Sequence, residues 1–500
     1  MQNAAVEASQ SEPVSLFAQT RQAMIWRSGA QIVGQLITWG ATFLVIRILD
    51  PRDYGLFAMT QVMLSLLNML NGAGLARGLI QRQDADERLI RQLYGMLILL
   101  NFTLGAIQFA MAPVAAAYFK QPIVADLLRV QSLLYITTPF VAFPYALLAR
   151  SIEFKQQAKV YLLSSVTGGL TALAGALAGW GVWTLIAAPM ALFTTRAVGM
   201  TVASGHRYRP LFDFRGAGGL AKFGGLMAMT QFLWLMQSQA DVLIAGRSLG
   251  PANLGLYTTS VFLTLILVSK FVPAVNDVAF SVYARLQDDR EAVAQGFARL
   301  ARMVMLVAMP FYAGLAVTAE PLVATVLGPK WIDAAPLVRL LALSMPAMTL
   351  QVLFNPVCDG LGHPRIGLRT GLVGALLLPL CFFIGLNWGV QGLAASWIVG
   401  YPIYLVVTAY WALPVIGLSA RSLAKAVAPA VSAAVGMGAA VAILDTLLPP
   451  LADPVRLAIL VAAGASIYSA WIGLFARPML QEAVALALGR MHGLPVTSAA

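Results

Sequence analysis

The stretch Arg47-Ile48-Leu49-Asp50-Pro51-Arg52-Asp53-Tyr54-Gly55-Leu56-Phe57 returns, two hundred positions on, as Arg247-Ser248-Leu249-Gly250-Pro251-Ala252-Asn253-Leu254-Gly255-Leu256-Tyr257. Arg, Leu, Pro, Gly and Leu recur in step. In each copy a long apolar run ends at the arginine, a short turn follows, and a second apolar run begins at the glycine. Proline just inside a helix start, behind Asp50 or Gly250 as cap, is the usual way to open a helix. The flanks agree: Gly29-Ala30-Gln31 to Trp39 resembles Gly224-Gly225-Leu226 to Trp234. A second pair keeps nearly the same spacing, Trp180-Gly181-Val182-Trp183-Thr184-Leu185 against Trp388-Gly389-Val390-Gln391-Gly392-Leu393. Both are uncharged turns between apolar runs. The chain reads as two related bundles in tandem.

Composition sets the class. Of the 500 residues, 59% are hydrophobic and 11% charged, and the mean hydropathy is +0.78. That balance excludes an ordinary soluble globular protein. Residues 370–420 carry no charge at all, enough for two bilayer crossings at roughly 20 residues each. The net charge of +12 does not point to nucleic acid, because the Lys and Arg residues lie between apolar runs, where they act as topology determinants. Cys358 and Cys381 sit inside apolar runs, and the three histidines have no metal-ligand spacing, so neither a disulfide framework nor a metal site is implied.

In chain order, a polar start without the basic leader and apolar core of a cleavable signal precedes apolar runs near 26–46, 55–76, 93–118, 130–149, 160–179 and 182–203. A basic linker with Arg207, Arg209, Arg215 and Lys222 follows. The second set falls near 223–246, 256–284, 303–327, 336–361, 366–386 and 390–413, and two more runs fall near 422–444 and 455–476. The expectation is an all-α polytopic membrane protein of about fourteen transmembrane helices: an N-lobe (1–215), a C-lobe (216–415), then two additional spans and a cytoplasmic tail (416–500). With the N-terminus inside, the cytoplasmic segments hold twenty-four Lys and Arg and the outer ones eight, which places both termini in the cytoplasm. Six spans per half is even, so the two six-helix lobes form a parallel repeat.

Paired acids in an outer loop, here Asp50 and Asp53, are what a lipid-sugar-dependent glycosyltransferase would use. The second copy has Gly250 and Asn253 there, exchanges that helix caps tolerate and general-base chemistry does not. Outer loops are short, and no P-loop marks ATP as fuel. Attention therefore falls on polar groups within spans. Lys270, the one cation assigned to neither loop set, lies mid-span, where a charge should face protein or a wet cavity. Asp277 follows seven residues later on the same face, and Asp241 stands in the preceding span. Asn68 and Asn71 occupy the corresponding region of the first half. Arg27 starts the first span, with Gln31 and Gln35 one and two turns on. A shared polar cavity would collect these groups. The alternative is that Lys270 only neutralises Asp277 or Asp241 and locks helices.

The residues also carry a resemblance. The turn Arg47–Phe57 joins Gly72-Ala73-Gly74-Leu75-Ala76-Arg77-Gly78-Leu79-Ile80-Gln81 and Ala146-Leu147-Leu148-Ala149-Arg150-Ser151-Ile152-Glu153-Phe154-Lys155. With Asp241 to Tyr257 and Asp359-Gly360-Leu361-Gly362-His363-Pro364-Arg365, these resemble the polysaccharide transporter family, the Wzx-type flippases of the multidrug/oligosaccharidyl-lipid/polysaccharide exporter superfamily. The resemblance covers the chain to about residue 415. It implies two six-helix lobes around a cationic cavity and no enzyme activity or cofactor. The implied cargo is an oligosaccharide on undecaprenyl pyrophosphate, moved across the bacterial cytoplasmic membrane by alternating access for exopolysaccharide or lipopolysaccharide synthesis. Membrane lipid, a polysaccharide polymerase and export machinery are the partners it implies. A drug or cation antiporter or lipid II flippase of the same superfamily is the nearest rival, and a membrane polymerase or glycosyltransferase the rival from another class. An antiporter for cationic drugs favours mid-span acids, whereas here the central charge is lysine. Small residues such as Gly168, Gly169, Gly175 and Gly179 would let helices pack closely, between lobes or simply within one.

Overall fold

The computed structural model describes residues 16–68, 86–150, 154–205, 208–213 and 236–477, with 479 and 481. Among them every regular element is a helix. In the first half these are α1 (Leu16–Ile48), α2 (Pro51–Asn68), α3 (Glu87–Phe119), α4 (Ile123–Gln131), α5 (Leu134–Arg150), α6 (Phe154–Leu177) and α7 (Val182–Ser204). Next come α8 (236–246), α9 (Gly250–Lys270), α10 (Val272–Arg285), α11 (Arg290–Val317) and α12 (Ala319–Val326). A 3-10 turn, Pro329–Ala334, leads to α13 (Ala335–Val352), α14 (Phe354–Gly360), α15 (Pro364–Gly385), α16 (Gly389–Ile416), α17 (Ala420–Leu447) and α18 (Asp453–Phe475). Eleven stretches among the described residues are long and apolar enough to cross a membrane, one of which, Pro364–Ile416, contains both α15 and α16.

Local chemistry ends the helices where the sequence breaks its apolar runs. The Asp289 carboxylate accepts the Ala292 N–H at 3.0 Å to cap α11, and the Ser419 hydroxyl accepts the Ser422 N–H at 3.1 Å to cap α17. The two Trp-Gly turns are the clearest sign of duplication. Gly181 has φ 55° and ψ −132°, and Gly389 has φ 70° and ψ −155°, a region that side-chain-bearing residues avoid. The same backbone is used at both sites, and Trp180 and Trp388 both lie exposed beside it.

The chain divides into two compact units. Unit 1 takes residues 1–48, 63–117 and 121–228, and unit 2 takes 49–62, 118–120 and 229–500. In unit 1, α6 packs against α1 and α7, and α7 against α5. Small residues make this possible: a Cβ on Gly168 would sit 2.9 Å from Leu192 of α7, and one on Gly169 would sit 3.4 Å from Ala41 of α1. Gly168, Gly169 and Gly175 thus serve packing inside the unit, while Gly179 faces open space. The chain after α7 is strapped onto α3. Leu211 N–H donates to the Arg91 carbonyl at 2.9 Å, Gln92 donates to the Asp213 carbonyl at 2.7 Å, and Arg88 pairs with Asp213 at 2.8 Å.

In unit 2, α13 packs on α9, α11 and α16, while of the two additional helices α17 packs on α11 and α18 on α17 and α12. Trp331, Tyr257, Tyr312, Phe297 and Phe354 are fully buried. Leu376, Leu447 and Phe475 lie exposed on the outside, the inversion expected where the outer solvent is lipid. The repeated turn itself forms a contact within this unit. A Cβ on Gly55 would run into the Pro251 carbonyl, whose carbon is 2.6 Å away, and one on Gly255 into the Pro51 carbonyl, its carbon 2.7 Å away. The starts of α2 and α9 therefore cross backbone to backbone, each glycine facing the other copy's proline.

Candidate functional site

Asp241, on α8, is 4% exposed. Its carboxylate accepts the Tyr257 hydroxyl at 2.7 Å and the Val242 N–H at 2.8 Å. The Trp397 indole N–H donates in turn to the Tyr257 oxygen at 2.8 Å. Nearby, the Tyr404 hydroxyl donates to Gln237 at 3.2 Å, and the Gln237 amide donates to the Gly371 carbonyl at 3.0 Å. This ladder ties α8, α9, α15 and α16 together. A buried carboxylate must find its donors within the protein, and Tyr257, whose counterpart in the first copy is Phe57, supplies a hydroxyl for that purpose. The Asp241 side chain is thus enclosed, with its carboxylate engaged by Tyr257 and Val242.

Lys270 is the last residue of α9, not a mid-helix residue of one unbroken span over 256–284. Pro273 cannot donate to the turn before it, so the helix bends at Phe271 and restarts as α10. Lys270 and Asp277 are both exposed, one on each side of the bend. No ion pair joins Lys270 to Asp277 or to Asp241, so the helix-lock arrangement is not formed.

In unit 1, Gln31 and Asn68 are exposed and Gln35 is half-buried, and no hydrogen bond joins Gln31 to Asn68. Asn71 and the Arg27 side chain lie outside the described residues. The structure adds a residue that the loop count passed over. Leaving Lys270 as the sole intramembrane cation places Arg196 with the cytoplasmic set, yet Arg196 lies inside α7, eight residues before its end at Ser204. Its guanidinium donates from Nε and Nη2 to the Ser164 hydroxyl, both at 3.2 Å, and lies 4.9 Å from the Tyr161 ring centroid. The signal was available: Ala197-Val198-Gly199-Met200 continues the apolar run beyond the arginine.

The Asp50 and Asp53 carboxylates have structural partners. The Asp53 carboxylate accepts the Asp50 N–H at 3.3 Å, which makes Asp53 the capping side chain at the start of α2. Asp50 pairs with Lys330 at 2.8 Å, while Tyr54 meets Trp331 edge-on at 5.4 Å. No group of three His, Cys, Asp or Glu side chains that could hold a metal ion occurs among the described residues.

A family model described as polysaccharide biosynthesis protein matches residues 44–336. The chain is similar to the succinoglycan biosynthesis transport protein ExoT of Rhizobium meliloti (strain 1021), 27% identical over 354 residues, 70% of this chain and 71% of that one. It is also similar to the teichuronic acid biosynthesis protein TuaB of Bacillus subtilis (strain 168), 25% identical over 415 residues, 79% of this chain and 83% of that one. Among solved structures it resembles the lipid II flippase MurJ in an inward closed conformation, with a TM-score of 0.75 over 91% of this chain and 100% of that one. At 12% identity that likeness is one of fold.

Proposed function

Because the chain belongs to the polysaccharide biosynthesis protein family, the polysaccharide transporters of the multidrug/oligosaccharidyl-lipid/polysaccharide exporter superfamily, we propose that it flips a lipid-linked oligosaccharide. The cargo is a repeat unit on undecaprenyl pyrophosphate, crossing the bacterial cytoplasmic membrane by alternating access, with a polysaccharide polymerase and export machinery receiving it outside. The relatives support the polymer class, one being named for succinoglycan and the other for teichuronic acid. Deletion is expected to leave the finished lipid-linked unit on the cytoplasmic leaflet, inaccessible to an added periplasmic glycosidase. A mutant that never completes the unit would point to an enzyme, and one that displays single units outside would point to a polymerase.

The observation that carries the charge of the cargo is Lys270, an exposed cation at a bend in a membrane helix with no ion-pair partner among the described residues. A cation about 4 Å from a phosphate gains roughly 4 kcal/mol at an effective dielectric near 20, enough to offset the roughly 2.5–3.5 kcal/mol of placing it mid-membrane. In this reading Asn68, Asn71, Arg27, Gln31 and Asp277 bind the cargo together with Lys270. Asp241 acts from behind by positioning α9. Export is expected to survive Lys270→Arg in good part and to fail in Lys270→Met at normal protein level. Adding Asp277→Asn to Lys270→Met should not restore it; rescue would make Lys270 a helix lock after all.

Both termini are taken as cytoplasmic. Reporter fusions near residues 290 and 480 should then report cytoplasm, and fusions near 52, 120 and 250 periplasm. A fusion near 215 should also report cytoplasm, and a periplasmic signal there would overturn both the six-span half and the parallel repeat.

A further inference from the structure

Arg196 is an arginine inside a membrane helix that the described residues orient without neutralising. It stands eight residues from the end of α7, about 12 Å of helix rise at roughly 1.5 Å per residue. Its guanidinium lies near two rings, Tyr161 at 4.9 Å and Phe193 at 5.5 Å. Its hydrogen bonds go to one atom: Nε and Nη2 both donate to Ser164 Oγ at 3.2 Å, and the Ser164 hydroxyl donates in turn to the Tyr161 carbonyl at 2.8 Å. A guanidinium has five N–H donors, so most of this one's capacity is unused by the described residues, and none of their carboxylates pairs with it. The contrast within the chain is Arg456, which forks onto both oxygens of Asp445 at 2.7 and 2.8 Å. Three helices fix the site. Tyr161 and Ser164 belong to α6, Arg196 to α7, and Tyr161 presses on Gly34 of α1, where a Cβ would stand 2.5 Å from the ring. The side chain is half-buried, neither sealed in the core nor free in lipid.

A charge held at this depth is costly unless an opposite charge arrives. A planar fork over aromatic rings, with outer donors that the described residues leave unused, is the arrangement that takes a phosphate oxygen pair. We propose that Arg196, tethered by Ser164 and stacked on Tyr161, is the binding group of an intramembrane phosphate site in unit 1, and that its ligand is a lipid-borne phosphate. Two lipids offer that chemistry, the polyprenyl pyrophosphate of the cargo and a bilayer phospholipid. The first identification rests on the flippase reading; the site itself does not.

The test is thermal unfolding of the purified full-length protein in neutral detergent, titrated separately with farnesyl pyrophosphate and with phosphatidylglycerol. Wild type should be stabilised by at least one probe, and Arg196→Gln should weaken that probe's apparent affinity tenfold or more, while Arg196→Lys keeps part of it. The probe that loses its effect identifies the source. A purely structural Arg196 would instead lower the ligand-free unfolding temperature and leave the affinity of both probes unchanged, which overturns the proposal. If Arg196→Gln does not accumulate, Arg196→Lys decides: a severalfold loss supports the site, and unchanged affinity sinks it. Stabilisation by phosphatidylglycerol alone, dependent on Arg196, keeps the site and counts against the pyrophosphate cargo. A wild type indifferent to both probes overturns the site.

Discussion

Alanine at Gly55 or at Gly255 is expected to abolish polymer export and to destabilise the protein, although the change adds one methyl group. Each new Cβ would meet a backbone carbonyl of the other copy, Pro251 or Pro51, and a carbonyl within a helix start cannot swing aside as a side-chain tip can. Overpacking of this kind costs about 1–3 kcal/mol when side chains absorb it, and here the starts of α2 and α9 must separate. The loss should therefore lie at or above the upper end, about 3 kcal/mol. Gly40 is the control, since a Cβ there meets nothing within 4 Å, and alanine in a helix interior is better tolerated than glycine. Thermal unfolding in detergent reads the difference. Gly255→Ala melting with wild type would remove the crossing as a structural determinant, and export surviving that change would remove it as a functional one.

The second large effect lies in the buried ladder. Tyr257→Phe deletes the hydroxyl that donates to Asp241 and accepts from Trp397, and so strands one acceptor and one donor in the core. At about 1–3 kcal/mol for each unsatisfied buried group, the loss should be about 2–6 kcal/mol. Because the defect is in folding rather than in contact with cargo, export should fall in proportion to the amount of folded protein and recover when cells are grown cooler. Normal protein level with export abolished would show instead that Tyr257 and Asp241 act on transport directly. Trp397→Phe removes only the outer donor and leaves the Asp241–Tyr257 bond in place. Its cost should be smaller, and its coupling to Tyr257→Phe measurable at about 0.5–3 kcal/mol, as for other directly bonded residues.

What the sequence by itself determined is what depends on neighbours along the chain. Apolar runs of membrane-spanning length set the class, and Pro51 and Pro251 marked helix starts that the structure has at Pro51 and Gly250. The Trp-Gly turns marked duplication because only glycine adopts the backbone that Gly181 and Gly389 share. One local signal was passed over: Pro273 lies within the run 256–284, and a proline inside an apolar pattern bends a helix just before itself. That bend moves Lys270 from mid-helix to a helix end. Arg196 was likewise legible as a charge with apolar residues on both sides, although its partners Ser164 and Tyr161 were not. The remaining features only the tertiary structure decided. Asp241 is an intramembrane acid in the sequence, open to cargo or closed. It is closed because Tyr257 and Trp397, sixteen and one hundred and fifty-six positions away, bring their donors to one spot. Gly55 and Gly255 are helix-start glycines in the sequence. They are close-packed because the starts of α2 and α9 meet within unit 2, bringing together backbones two hundred residues apart that no periodicity or turn chemistry along the chain encodes.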